Sequence, residues 1–66
     1  MVELRRKRLR DHLDDKIWSE GELARRSGVP LSTISRLLSG KRTGITLDTL
    51  DKLCEALGIS RDDVEV

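Results

Sequence analysis

Between Ser19 and Arg36 the chain reads Ser-Glu-Gly-Glu-Leu-Ala-Arg-Arg-Ser-Gly-Val-Pro-Leu-Ser-Thr-Ile-Ser-Arg, two short segments on either side of a glycine. Leu23, Val29, Ile34 and Leu37 are spaced to form one wedge of core beneath both segments. Ala24 falls where the first segment would approach the second, and a methyl group lets two backbones pack closely. Gly28, at the turn, can take a positive φ without Cβ strain. These features predict helices over about 20–27 and 31–39 meeting at a tight turn. Ser32, Thr33, Ser35 and Arg36 are then left on exposed or partly exposed faces.

The rest of the chain repeats one starting device, an apolar residue before the cap and another five positions later, the spacing of a hydrophobic staple. The pairs are Trp18 with Leu23, Val29 with Ile34, Ile45 with Leu50, and Ile59 with Val64. Ser19, Thr46 and Ser60 occupy cap positions where a hydroxyl oxygen can accept from first-turn N–H groups. Ser19 with Glu22 also fits the reciprocal capping box. A first helix is expected from about Glu3 to Lys16, burying Leu9, His12 and Leu13, with Ile17 a further candidate for that face. A fourth, about 47–57, places Leu47, Leu50, Leu53, Cys54 and Leu57 on one stripe, and Gly58 suits the left-handed residue after it. A final turn or two follows Ser60. No stretch alternates with period two, so strands are not expected, and the fold class is all-α.

Sixty-six residues make a single domain, 1–66, near the lower size limit for a self-sufficient core. One aromatic residue and a Leu/Ile/Val core leave no room for a deep substrate cavity, so neither an enzyme nor a small-molecule substrate is expected. One cysteine forms no internal disulfide. With no long apolar run and no leader pattern, the expected location is cytoplasmic, nucleoid-associated, with no membrane contact. The net charge of +1 conceals a polarity. Residues 1–42 hold eleven Lys/Arg against six Asp/Glu, whereas residues 43–66 hold two against six. A basic part beside an acidic part is what phosphate attraction on one face would favour.

Two helices joined by a short glycine turn form a helix-turn-helix, which presents its second helix to the DNA major groove. Leu31, Ser32, Thr33 and Arg36 are the candidates for reading bases. Arg36 suits bidentate contact with guanine, Ser32 and Thr33 can bond to bases or phosphates, and Leu31 offers an apolar contact to a thymine methyl. Ser19, Ser35, Lys41 and Arg42 are the candidate phosphate contacts. Lys41 and Arg42 lie in a flexible loop, Ser39-Gly-Lys-Arg-Thr-Gly44, that would position the chain without specifying sequence. Its Gly-Lys pair is not a phosphate-binding P-loop, because position 35 is Ser where that motif needs glycine.

Other residues have plainer explanations. Arg5-Arg-Lys-Arg8 reads as cations exposed on the first helix, with a minor-groove arm as the alternative. Arg25 and Arg26 suit the C-terminal dipole of their helix at least as well as a phosphate. His12 is the only histidine and lacks neighbouring ligands, so no metal and no cofactor are expected. Cys54 reads as packing, Trp18 as a staple, and no nucleophile, base and oxyanion set can be assembled.

The segments SEGELARRSGVPLSTISRLLSGKR and GITLDTLDKLCEALGIS, covering nearly all of residues 19–60, resemble the Cro/cI-type (Xre-type) helix-turn-helix proteins, in particular their small stand-alone group. The resemblance implies a compact five-helix bundle of the lambda-repressor-like type, operator-like double-stranded DNA as partner, and transcriptional regulation, usually repression. It also implies a homodimer on an inverted repeat, with reading helices about 34 Å apart. Val64, Val66 and exposed parts of the last two helices are the expected interface. Two positions depart from the family pattern. Glu20 stands where many relatives have a phosphate-contacting Gln, and a carboxylate there would repel phosphate. Ile17 stands where relatives often end the first helix with Gly, so a geometry other than a left-handed cap is expected. The alternative functions are a protein-interaction or antitoxin-like module and a nonspecific DNA-binding protein.

Overall fold

A computed structural model describes residues 1–66. In chain order the elements are β1 (Val2–Glu3), α1 (Arg6–Lys16), α2 (Glu20–Ser27), α3 (Leu31–Ser39), β2 (Gly44–Ile45) and α4 (Leu47–Leu57), followed by a single 3₁₀ turn, Arg61–Asp63. The fold is therefore mainly helical, with four α-helices rather than five. α2, α3 and α4 span the predicted residues, and α2 packs against both α3 and α4 while α1 packs against α3. None of the helices is long and apolar enough to cross a membrane.

Long-range backbone pairing explains the missing helix and the late start of α1. β1 and β2 pair antiparallel, Val2 opposite Ile45 and Glu3 opposite Gly44. Leu4 then bridges to Glu65, and the Arg5 and Val66 N–H groups donate to the Val64 and Glu3 carbonyls at 2.6 and 2.9 Å. These extended pieces are too short to show a period-two pattern, which is why the expectation of no strands fails. Because Val64–Val66 must run out to meet β1, the segment after Ser60 cannot continue as a helix. The Ser60 side chain accordingly makes no capping bond.

Ile17 reverses another expectation. It adopts the left-handed conformation, φ 58° and ψ 42°, and its side chain is 91% exposed instead of joining the core. The bonds that stabilise this geometry are those of a Schellman motif: the Ile17 N–H donates to the Asp14 carbonyl at 3.1 Å and the Trp18 N–H to that of Leu13 at 3.0 Å. A β-branched residue held there costs on the order of 1–2 kcal/mol, offset by the satisfied helix end.

The core draws on all four helices and on β2. Leu9, Leu13, Leu23, Ile34, Leu37, Ile45, Leu50, Leu53 and Val64 are fully buried, each worth about 1.5–3 kcal/mol of apolar transfer. Trp18 and Ile59 pack against this core as half-buried partners of their staples. Leu47, placed on the buried stripe by its spacing, is instead 47% exposed at the first turn of α4. Val64 is only 1% exposed, so it belongs to the core of this chain and is removed from the expected subunit interface.

Candidate nucleic-acid interface

The turn between α2 and α3 is specified residue by residue. Gly28 has φ 77° and donates its N–H to the Ala24 carbonyl at 3.0 Å, ending α2. The Val29 N–H donates to the Ser27 hydroxyl at 3.2 Å. Pro30 then starts α3, its ring-fixed φ of −56° suiting a helix entry, and its carbonyl accepts from Thr33 and Ile34 at 3.1 and 3.2 Å.

α3 is anchored through Ile34, Leu37 and Leu38. The opposite side leaves Ser32 and Arg36 exposed, with Thr33 and Ser35 half-buried at its flanks, and Leu31 is exposed at the first turn of α3. Ser32 and Arg36 are four residues apart and share a helical face. Arg36 forms no ion pair, so its guanidinium is uncommitted. Lys41 is likewise exposed and unpaired, while the Arg42 Nε donates to the Gly44 carbonyl at 3.1 Å. All four candidate base readers are carried by α3, with Lys41 and Arg42 in the loop that follows.

Ser19 and Ser35 already have partners within the chain. The Ser19 hydroxyl oxygen accepts from the Glu22 N–H at 3.1 Å, capping α2. The Ser35 hydroxyl donates to Glu20 Oε1 at 2.8 Å, and Arg10 Nη2 donates to Glu20 Oε2 at 3.2 Å. Glu20 thus links α1, α2 and α3 through one carboxylate. Arg10 escaped the sequence reading because a separation of ten residues across a helix boundary leaves no periodic signal.

The predicted capping box is half formed. Glu22 sends its carboxylate to Arg26 Nε at 2.7 Å and to Arg25 rather than back to Ser19. The Arg26 hydrogen bond is the largest effect on the Glu22 carboxyl; desolvation opposes it, but with the Arg25 hydrogen bond and the charges of both guanidinium groups added, the pKa is held below its ordinary value. Arg26 also lies 4.5 Å over the Trp18 ring, with the Lys16 ammonium at 5.2 Å from the same ring. Arg25 and Arg26 are consequently neutralised locally, in contrast to Arg36 and Lys41.

The remaining titratable candidates lie elsewhere. His12 is half-buried, its Nε2 shielded from solvent without a hydrogen-bond partner, with Asp63 Oδ2 at 4.0 Å. Cys54 is buried, and desolvation pushes its thiol pKa up, leaving it a poor nucleophile. No group of three His, Cys, Asp or Glu side chains is arranged to hold a metal ion.

Comparison with known proteins agrees with the geometry of α2 and α3. No curated protein and no solved structure matches the chain. A family model described as Helix-turn-helix matches residues 7–64, almost the whole of the folded unit. The chain therefore belongs to the Cro/cI-type, Xre-like helix-turn-helix family of DNA-binding transcription regulators.

Proposed function

We propose that this chain is a sequence-specific regulator, a repressor, that lays α3 in the major groove of duplex DNA. The observation that carries the reading is the uncommitted Arg36 guanidinium beside exposed Ser32, on the side of α3 opposite its aliphatic anchor. In this reading Arg36 donates two N–H groups to guanine O6 and N7, a contact worth about 1–3 kcal/mol of base discrimination. Ser32 and Thr33 bond to neighbouring base edges, and Leu31 meets a thymine methyl. Lys41 and Arg42 neutralise phosphates after α3. Ser19 and the first N–H groups of α2 face a phosphate at the other flank. Ser35 joins them only by turning its hydroxyl away from Glu20.

A homodimer on an inverted repeat follows if two copies present their reading helices one DNA turn apart. Val66, which is exposed, remains available to that interface after Val64 is assigned to the core. The chain would act in the cytoplasm, at the nucleoid.

Binding selection on random duplexes tests the proposal. Enrichment of a palindromic consensus is the expected result. Salt-sensitive binding without a consensus would replace it with nonspecific DNA binding. No enrichment at all would favour a protein partner and the interaction-module reading.

A further inference from the structure

Arg6 opens α1, far from α3 in sequence, yet its guanidinium lies directly over Gly40. A Cβ at position 40 would collide with it, and the glycine also has φ 84°. Arg6 and Arg42 line one cleft of about 340 Å³ with Leu4, Leu37, Gly40 and Thr43. No Asp or Glu lines this cleft, and neither arginine forms a salt bridge. The contrast with Arg8 is instructive, because that neighbour is bound to Asp63 at 3.4 Å. Two like charges converging on one cleft repel each other, and an oxyanion between them converts that repulsion into paired attraction.

Two of the carbonyls at the C-terminal end of α3 already accept hydrogen bonds within the chain. The Arg36 carbonyl accepts from the Arg42 N–H at 3.2 Å and the Ser39 hydroxyl at 3.1 Å, and the Leu37 carbonyl accepts from the Gly40 N–H at 3.4 Å. The Lys41 and Thr43 N–H groups make no backbone hydrogen bond. Arg42 is held by its Nε bond to the Gly44 carbonyl, which leaves its Nη groups to donate elsewhere.

We propose that this cleft is an oxyanion site that takes a phosphate group, with Arg6 and Arg42 as its charged ligands. Arg6 belongs to neither helix of the reading motif, so the site joins the start of α1 to the loop after α3. Its ligand chemistry is a tetrahedral oxyanion accepting guanidinium N–H groups, whether from a DNA phosphodiester or a free phosphate. Only the phosphodiester source rests on the DNA-binding reading above.

Inorganic phosphate titrated into ¹⁵N-labelled protein, with ionic strength held constant by chloride, tests the site without DNA. Saturable shifts are expected at the Gly40 and Thr43 amides and at the Arg6 and Arg42 Nε groups. Arg6→Gln and Arg42→Gln should each weaken phosphate by about tenfold or more, while Lys52→Gln leaves it unchanged. Shifts spread evenly over all exposed cations, shifts that chloride reproduces, or an Arg6→Gln variant that binds as the parent does would overturn the proposal. If Arg6→Gln loses its dispersed spectrum, Arg6→Lys decides. Weaker phosphate binding through loss of the planar fork supports the site, and unchanged binding overturns it.

Salt dependence of duplex binding then assigns the source. A slope reduced by about 0.9 in Arg6→Gln identifies a backbone phosphate, whereas an unchanged slope with weakened inorganic phosphate assigns the site to a free phosphate group. A parent protein that binds no duplex would end the DNA-binding reading, and the phosphate titration would still decide the cleft.

Discussion

The Ser35 hydroxyl donates to Glu20 Oε1 at 2.8 Å, so the first residue of α2 grips the flank of α3 while its other oxygen holds Arg10 at 3.2 Å. The carboxylate has two electrostatic consequences for a polyanion approaching this flank. It adds a repelling charge, and it neutralises a cation that would otherwise attract. Glu20→Gln keeps an oxygen for Ser35 and removes both effects. Tighter duplex binding at low salt is expected, with a salt slope steeper by up to about 0.9 if the released Arg10 reaches a phosphate. The Arg10 and Glu20 side chains are 45% and 33% exposed, so screening limits the stability change to under about 1 kcal/mol. Fluorescence anisotropy across a salt series checks the first outcome and urea unfolding the second. Weaker binding by the variant would show that Glu20 assists DNA contact.

Arg36 and Lys41 are both unpaired, but only Arg36 is on α3. Arg36→Ala should relax base preference at one or two positions of the selected consensus, losing about 1–3 kcal/mol of discrimination there. Lys41→Ala should weaken all sequences alike and lower the salt slope by about 0.9. Competition binding with single-base variants of the operator distinguishes them. Equal losses on every sequence for Arg36→Ala would reassign it to a phosphate.

Local signals carried α2, α3 and α4, because each has its own cap or turn residue and a complete apolar stripe. Ser19, Gly28, Thr46 and Gly58 act within a few residues of themselves, so their roles were legible from neighbours alone. Pairings between distant residues were not. Nothing around Val2 indicates Ile45 as its partner, and nothing around Ser60 shows that Val64 must extend toward Arg5. The candidate site divides the same way. Ser32 and Arg36 follow from helical periodicity, whereas the Glu20 clasp on Ser35 and Arg10 exists only once three helices are packed.

Ile17 is the one non-glycine residue with positive φ, and its side chain is almost wholly in solvent. Ile17→Gly therefore relieves a backbone conformation disfavoured by about 1–2 kcal/mol while sacrificing little apolar burial. The added freedom of glycine in the unfolded chain takes back part of that gain. A net stabilisation of about 0.5–1 kcal/mol is expected by urea unfolding, with base preference unchanged. A destabilised variant would mean that the isoleucine side chain contributes packing that its exposure conceals.

Glu22 should give acid unfolding a specific component. Its carboxyl pKa is lowered in the folded state by the Arg26 and Arg25 contacts, from an ordinary value of 4.5. The unfolded chain then binds the proton more readily, so stability falls as the solution is acidified. The contribution of Glu22 is fully present above 4.5 and is lost as pH drops through the lower folded value. Glu22→Gln removes that titration, and its melting temperature should converge on that of the parent in acid while lying below it at neutral pH. Because the contacts are exposed to solvent, the difference at neutral pH should shrink as salt is added. Melting curves recorded from neutral to acidic pH at low and high salt measure both trends. A parent and variant separated by the same interval at every pH would show that Glu22 stabilises α2 without its charge.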